Sequence, residues 1–212
     1  MKVALDLEDV LVETIELFME ELDRFIDENH AEKDITLRRP ENPGWAFPDL
    51  RKDLAELQSW EDDIEQKFFN GDSNGWEGFM PLTGRIWKEN PERYSATTSE
   101  IVNIVKEIRE AVDSRNGKLD LVTARMNGGK GVEKRLEQMG VLKYIDSIVL
   151  EKNKDSLDYD IYIDDYPYLH SDLNGSVQIM VTQPWNISED LKDPHRRIDS
   201  IKQAPEVVKD LG

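Results

Sequence analysis

Lys2-Val3-Ala4-Leu5-Asp6-Leu7-Glu8-Asp9-Val10 is the stretch from which the rest of the chain is read. A short apolar run, Val3-Ala4-Leu5, stops at three carboxylates, Asp6, Glu8 and Asp9. Runs this short, with β-branched content, suit a strand buried on both faces of a parallel sheet. Acids placed where such a strand stops would lie at its carboxyl end, the edge at which open α/β sheets bind ligands. Taken alone, the stretch reads nearly as well as a solvated turn. A second cluster, Ile163-Asp164-Asp165-Tyr166-Pro167, also closes an apolar run. Two acid clusters that end strands far apart in sequence can converge on one cation.

After the first strand, helical spacing of Leu11, Ile15, Leu17, Phe18, Leu22, Phe25 and Ile26 predicts a helix over 12–29. Pro40 and Pro43 mark a loop, and a second helix is expected over 48–69. Gly71, Gly75 and Gly78 then interrupt the pattern. Residues 14–97 thus read as a helical cap inserted between the first strand and the rest of the sheet. From Ser99, a plausible N-cap, the rhythm is α/β. A helix ending at Gly117 precedes a strand over 118–123, and a helix over 130–139 closes at Gly140. Further strands are expected over 147–150, 159–163 and 176–181. A terminal helix over 199–211 is expected to be interrupted at Pro205. The expected fold is α/β, a three-layer sandwich around a parallel sheet, with a core of 1–13 and 98–212 and the cap at 14–97.

With 212 residues, 38% hydrophobic and including five Trp, the chain can bury a sizeable core. It has no cysteine, which removes disulfides, thiolate metal sites and cysteine nucleophiles. No apolar run approaches the length of a bilayer span, and no signal peptide is visible, so a cytoplasmic location is expected. Asp plus Glu number 45 against 27 Lys plus Arg, a formal net charge of -18. That field repels phosphate backbones and argues against a nucleic-acid polymer as partner. A small phosphorylated ligand stays open, because a bound cation or a local basic group can reverse the potential. A salt-rich cytoplasm and ordinary surface solvation both account for the acidic surface.

Asp6, Thr123, Lys154 and the pair Asp164-Asp165 all fall at or just past strand ends, where one sheet edge would gather them. The set suits phosphate chemistry. A carboxylate can attack phosphorus, and Mg²⁺ held by Asp oxygens lets that anion approach a phosphate dianion. A hydroxyl and an ammonium group can stabilise the charge on the transferring oxygens.

Here the residues resemble a known family. Asp6-Leu7-Glu8-Asp9-Val10 is similar to the first motif of haloacid-dehalogenase (HAD)-like phosphatases, in which a strand ends in Asp-x-Asp-Gly-Val or -Thr. Leu121-Val122-Thr123 resembles their second motif, Lys154 their third, and Ile163-Asp164-Asp165 their fourth. Within that superfamily, Lys154 to Asp165 resembles the 5'(3')-deoxyribonucleotidases of the cytosolic 5'-nucleotidase type C family. Phe79-Met80-Pro81-Leu82-Thr83-Gly84 and Thr182-Gln183-Pro184-Trp185-Asn186 share that likeness.

The resemblance implies a Rossmann-like HAD core and Mg²⁺-dependent release of phosphate from small phosphates, above all nucleoside monophosphates. It implies Asp6 as nucleophile and Glu8 as general acid and base. Phosphate binding falls to Thr123, Ala124 and Lys154, and metal binding to Asp6, Glu8 (through its carbonyl), Asp164 and Asp165. Which of Asp164 and Asp165 binds the metal directly stays open. Arg125 could reach a phosphate or lie on the surface. Trp45, Phe47, Trp76 and Phe79 could stack on a base or pack in a core.

Two departures stand out, Glu8 where the family has Asp and Asp9 where it has Gly. A displaced general acid costs about 10²-fold or more in rate. Sugar-phosphate hydrolysis and a catalytically weak ligand-binding role are the alternative readings.

Overall fold

The computed structural model describes residues 1–12, 20, 24, 27, 98–124, 129–167, 169–173, 175–183, 186–187 and 189–211. Among them one sheet forms from β1 (Lys2–Leu5), β2 (Lys118–Thr123), β3 (Ser147–Leu150), β4 (Ile161–Asp164), β5 (Val177–Val181) and β6 (Arg196–Ile198). All pairings are parallel, in the order β3-β2-β1-β4-β5-β6. Val3, Ala4 and Leu5 are all buried, as are Leu119 to Thr123, so neither strand alternates. That is the pattern of a parallel sheet covered on both faces.

Leu5 lies opposite Leu121 on one side and Ile163 on the other. The strand order runs outward from β1 in one direction and from β4 in the other. The crevice between their carboxyl ends is therefore the switch point at which doubly wound sheets bind ligands.

Helices α1 (Thr98–Asp113), α2 (Gly129–Met139), α3 (Leu169–Asp172) and α4 (Ala204–Leu211) flank the sheet. Ile104, Val105, Ile108 and Val112 bury the inner stripe of α1, which packs on α4 and β2. On one sheet face, Ala4, Val122 and Tyr162 pack with Tyr159 and with Leu169 of α3. The exit from α1 is tight. Asn116 takes a left-handed φ of 51°, and Gly117 returns its N–H to the Val112 carbonyl at 3.0 Å. A Cβ at Gly117 would lie 2.4 Å from the Met1 carbonyl oxygen, so only glycine fits there.

Several expectations need correction. Ser99 lies inside α1, which starts at Thr98, and is not its N-cap. The fourth strand begins at Ile161 instead of Tyr159, and the fifth at Val177 instead of Ser176. Pro205 does not interrupt the terminal helix. It is the second residue of α4, in the first turn, where a missing N–H costs nothing. A 3-10 turn, Ile201–Gln203, precedes it, with Ser200 and Gln203 forming a capping box. The strand β6 was not expected. It has three residues, two of them arginine, a composition that suits a sheet edge and hides a strand from a hydrophobicity reading.

The chain divides into two units, Met1–Val12 with Pro91–Gly212, and Glu13–Asn90. The expected cap at 14–97 lies outside the described residues apart from Glu20, Arg24 and Asp27, which are helical. No helix among the described residues is long and apolar enough to cross a membrane.

Candidate functional site

The Asp6 N–H donates to the Ile163 carbonyl at 2.9 Å, carrying the β1–β4 pairing one residue past the end of β1. That bond sets Asp6 beside Asp164, the last residue of β4. Between them sits Lys154, from the 3-10 turn Lys154–Ser156 that follows β3. Its Nζ lies 2.8 Å from Asp6 Oδ2 and 2.5 Å from Asp164 Oδ2. The other Asp164 oxygen accepts the Tyr166 N–H at 2.8 Å. The turn bearing Lys154 is anchored from below, because the buried Tyr162 hydroxyl donates to the Leu157 carbonyl at 2.6 Å and lies 3.1 Å from that of Lys154. Asp6, Asp164 and Asp165 are all buried, and each offers a carboxylate oxygen within 4.8 Å of the others. Both members of the Asp164-Asp165 pair thus join Asp6.

Three buried carboxylates, Asp6, Asp164 and Asp165, share this edge with one buried lysine, which bonds two of them. Burial raises the Asp6 carboxyl well above the ordinary range; Lys154 opposes that rise, and Asp164, Glu8 and Asp165 add to it. Burial alone would lower the Lys154 ammonium, but Asp164 and Asp6 outweigh it and hold the group protonated. Asp6 Oδ1 is buried and accepts no hydrogen bond. An all-oxygen set of carboxylates with an uncommitted buried Asp6 oxygen fits a hard divalent cation such as Mg²⁺.

Beyond Asp6 the chain turns tightly. Leu7 O accepts the N–H groups of Leu11 at 3.0 Å and Val12 at 3.1 Å, and Asp9 donates its N–H to Val12 O at 2.6 Å. Asp9 has a left-handed φ of 55°, the conformation that glycine adopts most readily and Asp tolerates better than most residues. The turn aims Glu8 at β2, where Glu8 Oε2 accepts the Thr123 hydroxyl at 2.6 Å. Thr123 is fully buried as the last residue of β2, and Ala124 follows it, half-buried.

Arg125, Trp45, Phe47, Trp76 and Phe79 lie outside the described residues. Asn186, which begins a glycosylation-like sequon, is fully buried and wholly occupied by hydrogen bonds inside the protein. Sequence reasoning assigned no role to Gln178, Gln183, Asn186 or Arg197. Gln178 donates to the Tyr166 carbonyl at 2.9 Å, just past the second acid cluster. Its one visible signal was a polar residue within the apolar run of β5. Gln183 and Asn186 lie in the stretch Thr182 to Asn186 noted for its family likeness, but nothing there showed their role, because their partners include backbone carbonyls of distant loops.

No protein-family model matches the sequence, and neither does any curated protein. Solved structures do resemble it in fold. YfnB from Bacillus subtilis, described as a HAD-hydrolase and solved bound to magnesium, aligns with a TM-score of 0.51 at 11% identity. The alignment covers 98% of this chain and 97% of that one. L-2-haloacid dehalogenase from Xanthobacter autotrophicus, with chloropropionic acid covalently bound, aligns with a TM-score of 0.49 at 7% identity, covering 100% of this chain and 99% of that one. The parallel six-stranded α/β architecture is the HAD-like fold.

Proposed function

We propose that this protein is a Mg²⁺-dependent phosphomonoesterase of the HAD type, acting on small phosphates and above all on nucleoside monophosphates. The observation that carries the reading is the buried group of Asp6, Asp164 and Asp165, each offering a carboxylate oxygen within 4.8 Å of the others, with Lys154 bonded to two of them. Asp6, Asp164 and Asp165 would hold the ion, with the Glu8 carbonyl added on the strength of the sequence resemblance. A bound Mg²⁺ would lower the repulsion between a carboxylate nucleophile and a phosphate dianion.

The rest of the chemistry falls to the chain itself. Asp6 attacks phosphorus, the ester P–O bond breaks, and the departing oxygen takes a proton from Glu8. Water then attacks the phosphorus of the aspartyl phosphate and gives a proton back to Glu8, which restores the Asp6 carboxylate and releases phosphate. Lys154 has three N–H donors, of which Asp6 and Asp164 engage two. The third is available to a phosphoryl oxygen.

The nucleotide preference rests on the likeness of Lys154 to Asp165 and of the loop from Thr182 to the 5'(3')-deoxyribonucleotidases. One observation favours a second reading, a ligand-binding protein with little turnover: Glu8 and Thr123 are bonded to each other. The deciding experiment measures phosphate release from nucleoside monophosphates, sugar phosphates and an aryl phosphate, with and without Mg²⁺, using Asp6→Asn as control. Metal-dependent turnover that disappears in Asp6→Asn is expected. Turnover of sugar phosphates alone would remove the nucleotide assignment, and no turnover of any substrate would leave the second reading.

A further inference from the structure

The two acid clusters leave different strands, repel each other, and are separated by most of the chain. The β1–β4 pairing and Lys154 bring Asp6 and Asp164 together, but the segments that follow each strand need a hold of their own. The loop after β5 carries none of the charged groups of the site, yet it grips the backbone on both sides of the gap.

Asn186 is fully buried. Its Nδ2 donates to the carbonyls of Asp165 and Val181, both at 2.8 Å. Its Oδ1 accepts from the Gln183 N–H at 2.9 Å and from Arg197 at 3.1 Å. A carboxamide has two donor hydrogens and two acceptor lone pairs, so every valence is used and the amide orientation is fixed. A flipped amide would point its oxygen at two carbonyls. Arg197, from β6, also donates to the carbonyls of Asn186 at 2.9 Å and Glu189 at 2.7 Å, which ties the loop to the sheet edge. On the other side, Gln183 Nε2 donates to the Asp9 carbonyl at 2.5 Å, next to Glu8 in the turn after Asp6. One loop therefore holds the exits of β1, β4 and β5 together.

We propose that Gln183 and Asn186 are positioning residues that hold the Asp6 turn and the Asp164-Asp165 loop at the separation needed to close on one divalent cation. This rests on the reading that the carboxylate cluster takes such a cation. Neither residue touches the carboxylates; both act through the backbone that carries them. Loss of a group bonded directly to a metal ligand costs about 10- to 100-fold in metal affinity, and partners acting through the backbone fall at the low end of that range.

The test is titration of the full chain with Mn²⁺, followed by electron paramagnetic resonance, well below the melting temperature of each variant. Asn186→Ala should weaken Mn²⁺ binding about 10-fold or more, and Gln183→Ala by a smaller but measurable factor. Mg²⁺ competition should rank the variants in the same order. A purely structural role would lower the melting temperature and leave Mn²⁺ affinity unchanged in folded variants; that result overturns the proposal. If Asn186→Ala does not fold, Gln183→Ala, which loses one side-chain bond from a half-buried position, decides alone. Asp6→Asn separates the two layers of the argument. If the wild type binds no Mn²⁺, or binds it equally well in Asp6→Asn, the metal reading itself has failed, and the proposal fails with it.

Discussion

The Thr123 hydroxyl donates to the Glu8 carboxylate across 2.6 Å, joining the end of β2 to the turn after β1. A hydroxyl has one proton to donate. At this geometry Thr123 serves Glu8 or a phosphoryl oxygen, and the two uses compete. The extra methylene of Glu8, relative to the Asp of the family it resembles, extends the carboxylate toward β2. Shortening the side chain should therefore free the hydroxyl. Glu8→Asp is expected to lower KM for a phosphate ester, and Thr123→Val to raise it, by an amount on the order of one charged hydrogen bond, about 1.5–3 kcal/mol. In a Thr123→Val background the KM effect of Glu8→Asp should vanish. Glu8→Gln should cut kcat by about 10²-fold or more. Steady-state kinetics on the wild type and these four variants checks this, and a KM that rises in Glu8→Asp would refute the competition.

Lys154 is the only cation bonded to both Asp6 and Asp164 among the described residues. Lys154→Met would leave two buried carboxylates facing each other. The expected loss is about 3–5 kcal/mol, the usual cost of removing one partner from a buried pair. Urea unfolding should show it, and saturating Mg²⁺ should recover part of it by ligand linkage. A variant as stable as the wild type in metal-free buffer would contradict the charge argument.

Asp9 holds a φ of 55°. Alanine lacks the short polar side chain that makes this region tolerable, so Asp9→Ala should cost about 1 kcal/mol. Asp9→Gly should match or exceed the wild type in stability, because glycine enters the same region without strain. Chemical denaturation of the pair separates backbone strain from side-chain loss; equal destabilisation by both variants would assign the effect to the Asp9 side chain.

Far from the site, Arg109 donates to Asp146 at 2.5 Å and also pairs with Asp113 one helical turn on. Asp146 accepts the Leu119 N–H at 2.8 Å, binding the segment before β3 to β2. Burial would raise the Asp146 carboxyl, but the Leu119 N–H and the Arg109 guanidinium prevail and hold it below the ordinary carboxylate value. A folded-state pKa below the unfolded one stabilises the protein above the unfolded value, about 3.9, and that stability is lost as pH falls through the folded value. Asp146→Asn should therefore cost about 1 kcal/mol or less at pH 7, given its exposure, and flatten the acid limb of the stability profile. Unfolding free energies between pH 7 and pH 3 measure it. An unchanged acid limb would count against this pair.

The central strand β1 was legible because a strand buried on both faces of a parallel sheet reads as a continuous apolar run. Lys118 to Thr123 and Ser147 to Leu150 match the observed β2 and β3 end to end. The acids at Asp6 and Asp164 were legible for the complementary reason: a carboxylate stops such a run. The strand β6 was not, because two of its three residues are arginine. Pro205 misled because its effect depends on its place in a helix, and a first-turn position cannot be told from an interior one until the preceding 3-10 turn is known. Gln183 and Asn186 stood in a stretch noted for its family likeness, but their role was not legible, because a side chain that bonds a remote carbonyl is indifferent to which residue supplies it.

The sequence by itself determined which segments are buried strands and which carboxylates, hydroxyl and lysine stand at their ends. Residue-by-residue burial imposes that much locally. Only the tertiary structure decided that β4 lies beside β1, so that Lys154 bridges Asp6 and Asp164, that Glu8 reaches Thr123, and that one loop after β5 holds both acid clusters. Strand order and loop contacts come from packing distant segments against one another and from satisfying every buried carbonyl. Neither leaves a periodic trace along the chain.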